Sequence, residues 1–282
     1  MWLARLFSRL PFPVLYALSD FLFLVSYHVV KYRRKLVMKN LRNSFPEKST
    51  SELRAIEKAF YRNLCDYAVE TLKLLTIDRQ ELIKRMHITN HEEIDACAKN
   101  NQSVIALASH QFNWEWLLVS ANATYSLPVD FVYQTVKNKF FNDLTQAIRT
   151  RFGAYSIDRH HVAREFIKRK NITRVIATVA DQYPGLKADK RISAHFLNQE
   201  TEFFFGSNQM ATMSQYKVIY LAVRKIKRGY YTCTSIPIAE PPYDKNDTHI
   251  IENYIRAVEQ NIRNHPDGWL WSHNRWKKRK FN

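Results

Sequence analysis

His110 and Glu115 stand five residues apart, just after the apolar run Val104–Ala108. An imidazole exchanges protons near neutral pH, and a carboxylate at this spacing can turn back and orient it, so the two make a candidate general-base pair. The segment reads as a buried strand that delivers a histidine into a turn ahead of a helix. There, free backbone donors and the positive end of the helix dipole favour negative charge that develops during a reaction. The same spacing also fits a turn histidine beside an exposed helical glutamate. Ser109 lacks the glycine-flanked elbow of a serine nucleophile and reads as a structural hydroxyl.

Other chemistries find less support. His160-His161 has no accompanying ligand spacing, so no metal is expected. Cys65, Cys97 and Cys233 are odd in number and widely separated, which supports neither a disulfide framework nor a zinc knuckle and favours a reducing compartment. The five glycines are scattered and form no phosphate-binding loop, which argues against nucleotide enzymes. No cofactor is required.

The elements that must position this pair follow from periodicity. Short apolar runs at 104–108, 129–133, 174–180, 218–223 and 230–236 predict buried strands. Helical patterns at 114–123, 140–151 and 161–168 alternate with several of them, which predicts an α/β fold with a mixed central sheet flanked by helices. Ser49 and Glu52 form a capping box ahead of a stripe of Leu53, Ile56, Phe60, Leu64, Tyr67 and Leu75. Asp247 is placed to cap a last helix bearing Ile251, Tyr254, Ile255, Val258 and Ile262.

Residues 11–30 are apolar and aromatic, near the roughly 20 residues of a spanning helix, although Asp20 interrupts them. Lys31, Arg33, Arg34, Lys35, Lys39 and Arg42 follow, a basic flank that would stay on the cytoplasmic side. A spanning anchor, a monotopic interfacial helix and a helix packed on the domain all fit. We therefore divide the chain into an N-terminal membrane helix with its basic flank (1–45) and a catalytic domain (46–282). The formal net charge of +17 favours anionic partners such as a membrane surface, an acidic protein or nucleic acid. The basic end, Arg275-Trp276-Lys277-Lys278-Arg279-Lys280, fits acidic headgroups, an acidic carrier or simple solvation. Nucleic-acid binding through basic and aromatic clusters is the competing class.

An ordered set of motifs discriminates further. It comprises Lys39-Asn40-Leu41, Phe45-Pro46, His110 through Glu115, Val132-Tyr133, Arg149, Asp158-Arg159, Asp181, Phe204-Phe205-Gly206, and the ending from Pro266-Asp267-Gly268-Trp269 to Trp276-Lys277. In this set the chain resembles the late acyltransferases of lipid A biosynthesis, the lauroyl and myristoyl transferases. These are related to glycerolipid acyltransferases with a histidine-x4-acid motif. Gln134 stands where many relatives have arginine.

The resemblance implies a glycerolipid-acyltransferase-like fold at the bacterial inner membrane, with the active site facing the cytoplasm. It implies transfer from an acyl carrier protein or other acyl thioester to a membrane glycolipid, a lipid A precursor, without a nucleic-acid partner. Relatives acylate other amphiphiles, so a lysophospholipid or aminolipid acceptor stays open. His110 and Glu115 would be catalytic, with Arg149 and Asp181 binding substrate or supporting an oxyanion. Phe203-Phe204-Phe205 would line an acyl groove or simply pack.

Overall fold

The computed structural model describes residues 1–185 and 189–277. From the N-terminus, α1 (Trp2–Ser8) and α2 (Phe12–Phe23) run into a π-helical stretch (Leu24–Val29), followed by α3 (Arg34–Ser44) and the long α4 (Thr50–Lys73). Then come α5 (Arg79–Arg85), β1 (Met86–Ile88), α6 (Glu92–Lys99), β2 (Val104–Ala108), α7 (Trp114–Thr124) and β3 (Val129–Tyr133). The middle continues with α8 (Lys139–Arg149), β4 (Tyr155–Asp158), α9 (Val162–Lys168) and β5 (Val175–Val179). A hairpin of β6 (Arg191–Phe196) and β7 (Gln199–Phe204) precedes α10 (Gly206–Ser214), β8 (Lys217–Lys227), β9 (Tyr230–Ala239) and α11 (His249–Asn264).

The expected α/β class and mixed sheet are both present. Seven strands lie in the order β1-β9-β8-β2-β5-β3-β4, parallel throughout except for the antiparallel pair of β8 and β9. Helical crossovers α7, α8 and α9 return β2, β3, β4 and β5 in the same direction, a tight turn reverses the chain from β8 into β9, and helices cover both faces. Along β2, Ile105 and Leu107 pack into one core with α3, α4 and α11. The alternate residues Val104, Ala106 and Ala108 pack into a second core with α5 and α7. Strands β1, β4, β6 and β7 escape the periodicity because they are short or carry polar residues on one side.

Both sides of the predicted capping box on α4 are made: Ser49 N donates to Glu52 Oε2 at 2.8 Å and Glu52 N to Ser49 Oγ at 3.3 Å. Asp247 does not cap α11. The capping position belongs to Thr248, and the Asp247 carboxylate instead accepts the Asp244 amide at 2.8 Å. The three cysteines are free and buried.

The N-terminal segment is long and apolar enough to cross a membrane over Phe12–Val29, by length and composition. It is also packed against α4. Leu15, Ser19 and Phe23 of α2 are buried, Ser19 Oγ donates to Asp66 at 2.7 Å, and Arg228 bridges Asp20 and Asp66. The opposite side is exposed and apolar, with Trp2, Phe21 and Val29 respectively 72%, 60% and 74% accessible. Phe23, Tyr27, Val37, Leu41 and Phe45 pack into the same core as α4 and α11. Leu15→Ala is expected to cost about 2–5 kcal/mol, as for other fully buried leucines. Denaturant unfolding in one detergent checks this, and a loss below about 0.5 kcal/mol would mean that α2 is not firmly docked.

Candidate functional site

The parallel register of β2 and β5 creates the centre of the site. Ala108 pairs with Val179, so the residues two positions beyond each, His110 and Asp181, emerge side by side at the carboxyl edge of the sheet. There Asp181 holds the histidine twice: His110 Nδ1 lies 2.7 Å from Asp181 Oδ1, and the His110 amide donates to Oδ2 at 2.8 Å. The indole of Trp269 donates to the same Oδ2 at 2.7 Å.

Asp181 is fully buried. Burial alone would raise its pKa, but the imidazole charge of His110 and the hydrogen bonds from the His110 ring, the Trp269 indole and the His110 amide outweigh it. The carboxyl is therefore held below its ordinary value. With Asp181 ionised, Nδ1 carries the ring proton and Nε2 is left as the basic nitrogen of a partly exposed ring.

The turn after His110 is fastened along its length. Phe112 adopts a left-handed backbone (φ 48°), and its amide donates to Gly268 O at 2.7 Å. A Cβ on Gly268 would lie 2.5 Å from the Phe112 ring, so this close approach requires glycine. Asn113 caps α7, its Oδ1 accepting the Trp116 amide at 3.0 Å. Trp114 meets the His110 ring edge-on and stacks on Tyr67. Ser109 Oγ is buried 2.8 Å from Tyr220 Oη, in line with a structural hydroxyl.

Glu115 is not the partner of His110, contrary to the expected carboxylate–imidazole hydrogen bond. From the first turn of α7 its buried carboxylate pairs bidentately with Arg149 of α8, at 2.8 Å to Nε and 2.5 Å to Nη2. A guanidinium fork matches both carboxylate oxygens, while Asp181 already occupies Nδ1. Asp181 likewise does not face substrate space as expected, since its oxygens are spent on His110 and Trp269. The pairing across the His-x4-Glu motif is thus exchanged: His110 with Asp181, and Glu115 with Arg149.

His110, Trp114, Arg149 and Arg159 line a cleft of about 1030 Å³, whose apolar lining includes Val136, Phe166, Ile167, Met210 and Met213. Of the aromatic run, Phe204 lines this cleft, whereas Phe203 and Phe205 are buried in the core. His160 is also at the cleft, and no cluster able to hold a metal occurs among the described residues. At the basic end, Arg275 is not a surface cation: it is buried, with its guanidinium 4.6 Å from the Phe203 ring centre. Lys278, Arg279 and Lys280 lie outside the described residues.

Sequence reasoning gave no role to Trp269 or Asn40. Asn40 Nδ2 donates to the carbonyls of Trp271 at 2.9 Å and His273 at 3.2 Å, holding the C-terminal segment beneath His110. Their only signal was membership in the ordered motifs.

The site thus joins a mostly parallel sheet, a histidine–aspartate pair at its carboxyl edge and a cleft with an apolar lining. The chain belongs to the bacterial lipid A biosynthesis acyltransferase family, whose description matches residues 1–278, and it is an acyltransferase. It is similar to the lipid A biosynthesis lauroyltransferase of Escherichia coli (strain K12), with 23% identity over 281 residues, which cover 99% of this chain and 89% of that one.

Two neutralising variants separate the acid pairs. Asp181→Asn is expected to lower kcat by about 10²–10⁴-fold, the range for disabling a general base and its orienting carboxylate. Because the folded pKa of Asp181 is depressed, its stabilisation is complete above the unfolded value and is lost as pH falls through the lower folded one. The acid limb of stability below the ordinary carboxylate value of 3.8 should therefore flatten in Asp181→Asn. Glu115→Gln, which breaks the bidentate pair with Arg149, should also impair turnover. Turnover assays and acid-unfolding curves check both expectations.

Proposed function

We propose that the protein transfers a fatty acyl chain from an acyl carrier protein thioester to a hydroxyl of a lipid A precursor, with His110 as general base. The observation that carries this reading is the basic His110 nitrogen in an apolar cleft, with its other nitrogen locked to a buried carboxylate. Nε2 takes the proton of the acceptor hydroxyl as the oxygen attacks the thioester carbonyl. The tetrahedral oxyanion is supported by Arg149, which Glu115 fixes in place. On collapse the carbon–sulfur bond breaks and the imidazolium returns its proton to the leaving thiolate, so no acyl-enzyme is needed. The apolar lining of the cleft suits the acyl chain.

We place the protein on the cytoplasmic face of the inner membrane as a monotopic enzyme. A helix that buries one polar-bonded side and exposes an apolar one suits an interfacial seat better than a free span. The concavity beside it, lined by Arg34, Lys35, Lys39, Arg42 and Arg54, supports contact with anionic headgroups. Of these cations, Arg34 is paired with Glu57.

The decisive experiment compares membrane lipids of a deletion strain by mass spectrometry. One acyl chain should be missing from a defined glycolipid, restored by the wild type and not by His110→Ala. With a dodecanoyl thioester donor, suggested by the relative's name, purified His110→Ala should lose about 10²–10⁴-fold in turnover. Near-normal turnover in the folded variant would end this mechanism, and a different acylated amphiphile would change the acceptor. Separately, charge reversal at Lys35, Lys39 and Arg42 should weaken recovery on anionic vesicles by about 1 kcal/mol per cation. Binding to neutral vesicles should stay unchanged, and equal recovery on anionic vesicles would remove the headgroup contact.

A further inference from the structure

Glu70, deep in α4, is a fully buried carboxylate that the chemistry above does not use. It gathers donors from separate parts of the chain. Tyr16 Oη of α2 donates to Oε1 at 3.0 Å, and Oε2 accepts Asn113 Nδ2 at 2.7 Å and Tyr231 Oη at 2.9 Å. The Glu70 backbone carbonyl accepts the Trp116 indole at 2.7 Å. Asn113 is thereby pinned at both ends of its amide, Oδ1 on the first turn of α7 and Nδ2 on Glu70. It stands three residues beyond His110, with the left-handed Phe112 between them, a conformation that surrounding contacts must hold in place.

The Tyr16 hydroxyl has little freedom to point elsewhere. A Cβ on Gly229 would lie 1.9 Å from it, so the turn between β8 and β9 closes over this position.

We infer that Glu70 is a positioning residue for acyl transfer, tying the seating of the N-terminal apolar helix, through Tyr16, to the turn that carries His110, through Asn113. The inference rests on the reading of His110 as base. A helix properly seated completes the set of donors around the carboxylate, and the carboxylate in turn fixes the turn and the tilt of α7. A helix that loses this contact leaves a buried oxygen short of a donor, and Asn113 shares the resulting rearrangement. Ser19 and Asp20 secure α2 independently through Asp66 and Arg228, so removing the Tyr16 hydroxyl tests the coupling without undocking the helix. Burial lifts the Glu70 carboxyl to about 7, against the hydrogen bond from Asn113. Glutamine, a neutral group of the same shape, is therefore its conservative replacement.

The test uses the full chain in mild detergent, with Tyr16→Phe, Glu70→Gln and Glu70→Leu. Imidazole nitrogen NMR of histidine-labelled protein reads the His110 ring, assigned by its disappearance in His110→Ala, and transfer from a dodecanoyl thioester gives kcat and KM per folded protein. Tyr16→Phe should move the His110 resonance and lower kcat by about 10-fold with KM unchanged. Glu70→Leu should lose about 10²-fold, the scale of a small misplacement of reacting groups. Glu70→Gln should recover most of that loss. Should Glu70→Leu not fold, Tyr16→Phe and Glu70→Gln carry the test. An unmoved His110 resonance in folded Tyr16→Phe would reduce Glu70 to packing, whatever the kcat. A wild type that transfers no acyl chain would instead overturn the acyltransfer reading, and the resonance would still decide the coupling.

Discussion

A carboxylate removed from water must be supplied with donors, and the arrangement around Asp181 follows from that requirement. Desolvation opposes its charge, so it persists only because the His110 ring, the His110 amide and the Trp269 indole converge on it. Each donor brings a structural obligation. The His110 amide fixes the loop after β2, and the Trp269 indole brings the C-terminal segment against the turn that carries His110. Asn40 and Arg33 then secure that segment, through the carbonyls of Trp271, Ser272 and His273. Residues near both ends of the chain are in this way drawn to one ion.

The two acids near His110 are kept apart by partner chemistry. Arg149 offers a planar fork that satisfies both oxygens of Glu115, whereas Asp181 meets an imidazole, an amide and an indole from three directions. The division leaves one carboxylate to hold the imidazole and the other to hold a cation at the cleft. A single carboxylate serving both would leave either the guanidinium or the imidazole without its buried partner.

The N-terminal helix has two sides of different character. Toward the domain it presents Tyr16, Ser19 and Asp20, each hydrogen-bonded to α4 or to Arg228. Away from it lie Phe21, Leu24 and Val29, exposed apolar groups that are costly to leave in water. Asp20, which weakens a spanning reading in the sequence, is explained by its guanidinium partner more than two hundred residues away.

Periodicity and capping chemistry alone determined much of this protein. The apolar runs of β2, β3 and β5, the capping box of α4 and the helical pattern of α7 are local properties, set by side-chain alternation and by hydrogen bonds three residues apart. The ordered motifs pointed to the family, and His110, Glu115, Arg149 and Asp181 were all legible as candidate site residues. Their pairing was not. A five-residue spacing makes Glu115 the obvious partner of His110, but the decision belongs to strand order: β5 lies beside β2 in parallel register, which carries Asp181 across seventy residues to the imidazole. Trp269, Asn40 and Glu70 were hidden for the same reason. Which donors meet a buried carboxylate depends on how separated segments pack, and only the tertiary structure fixes that.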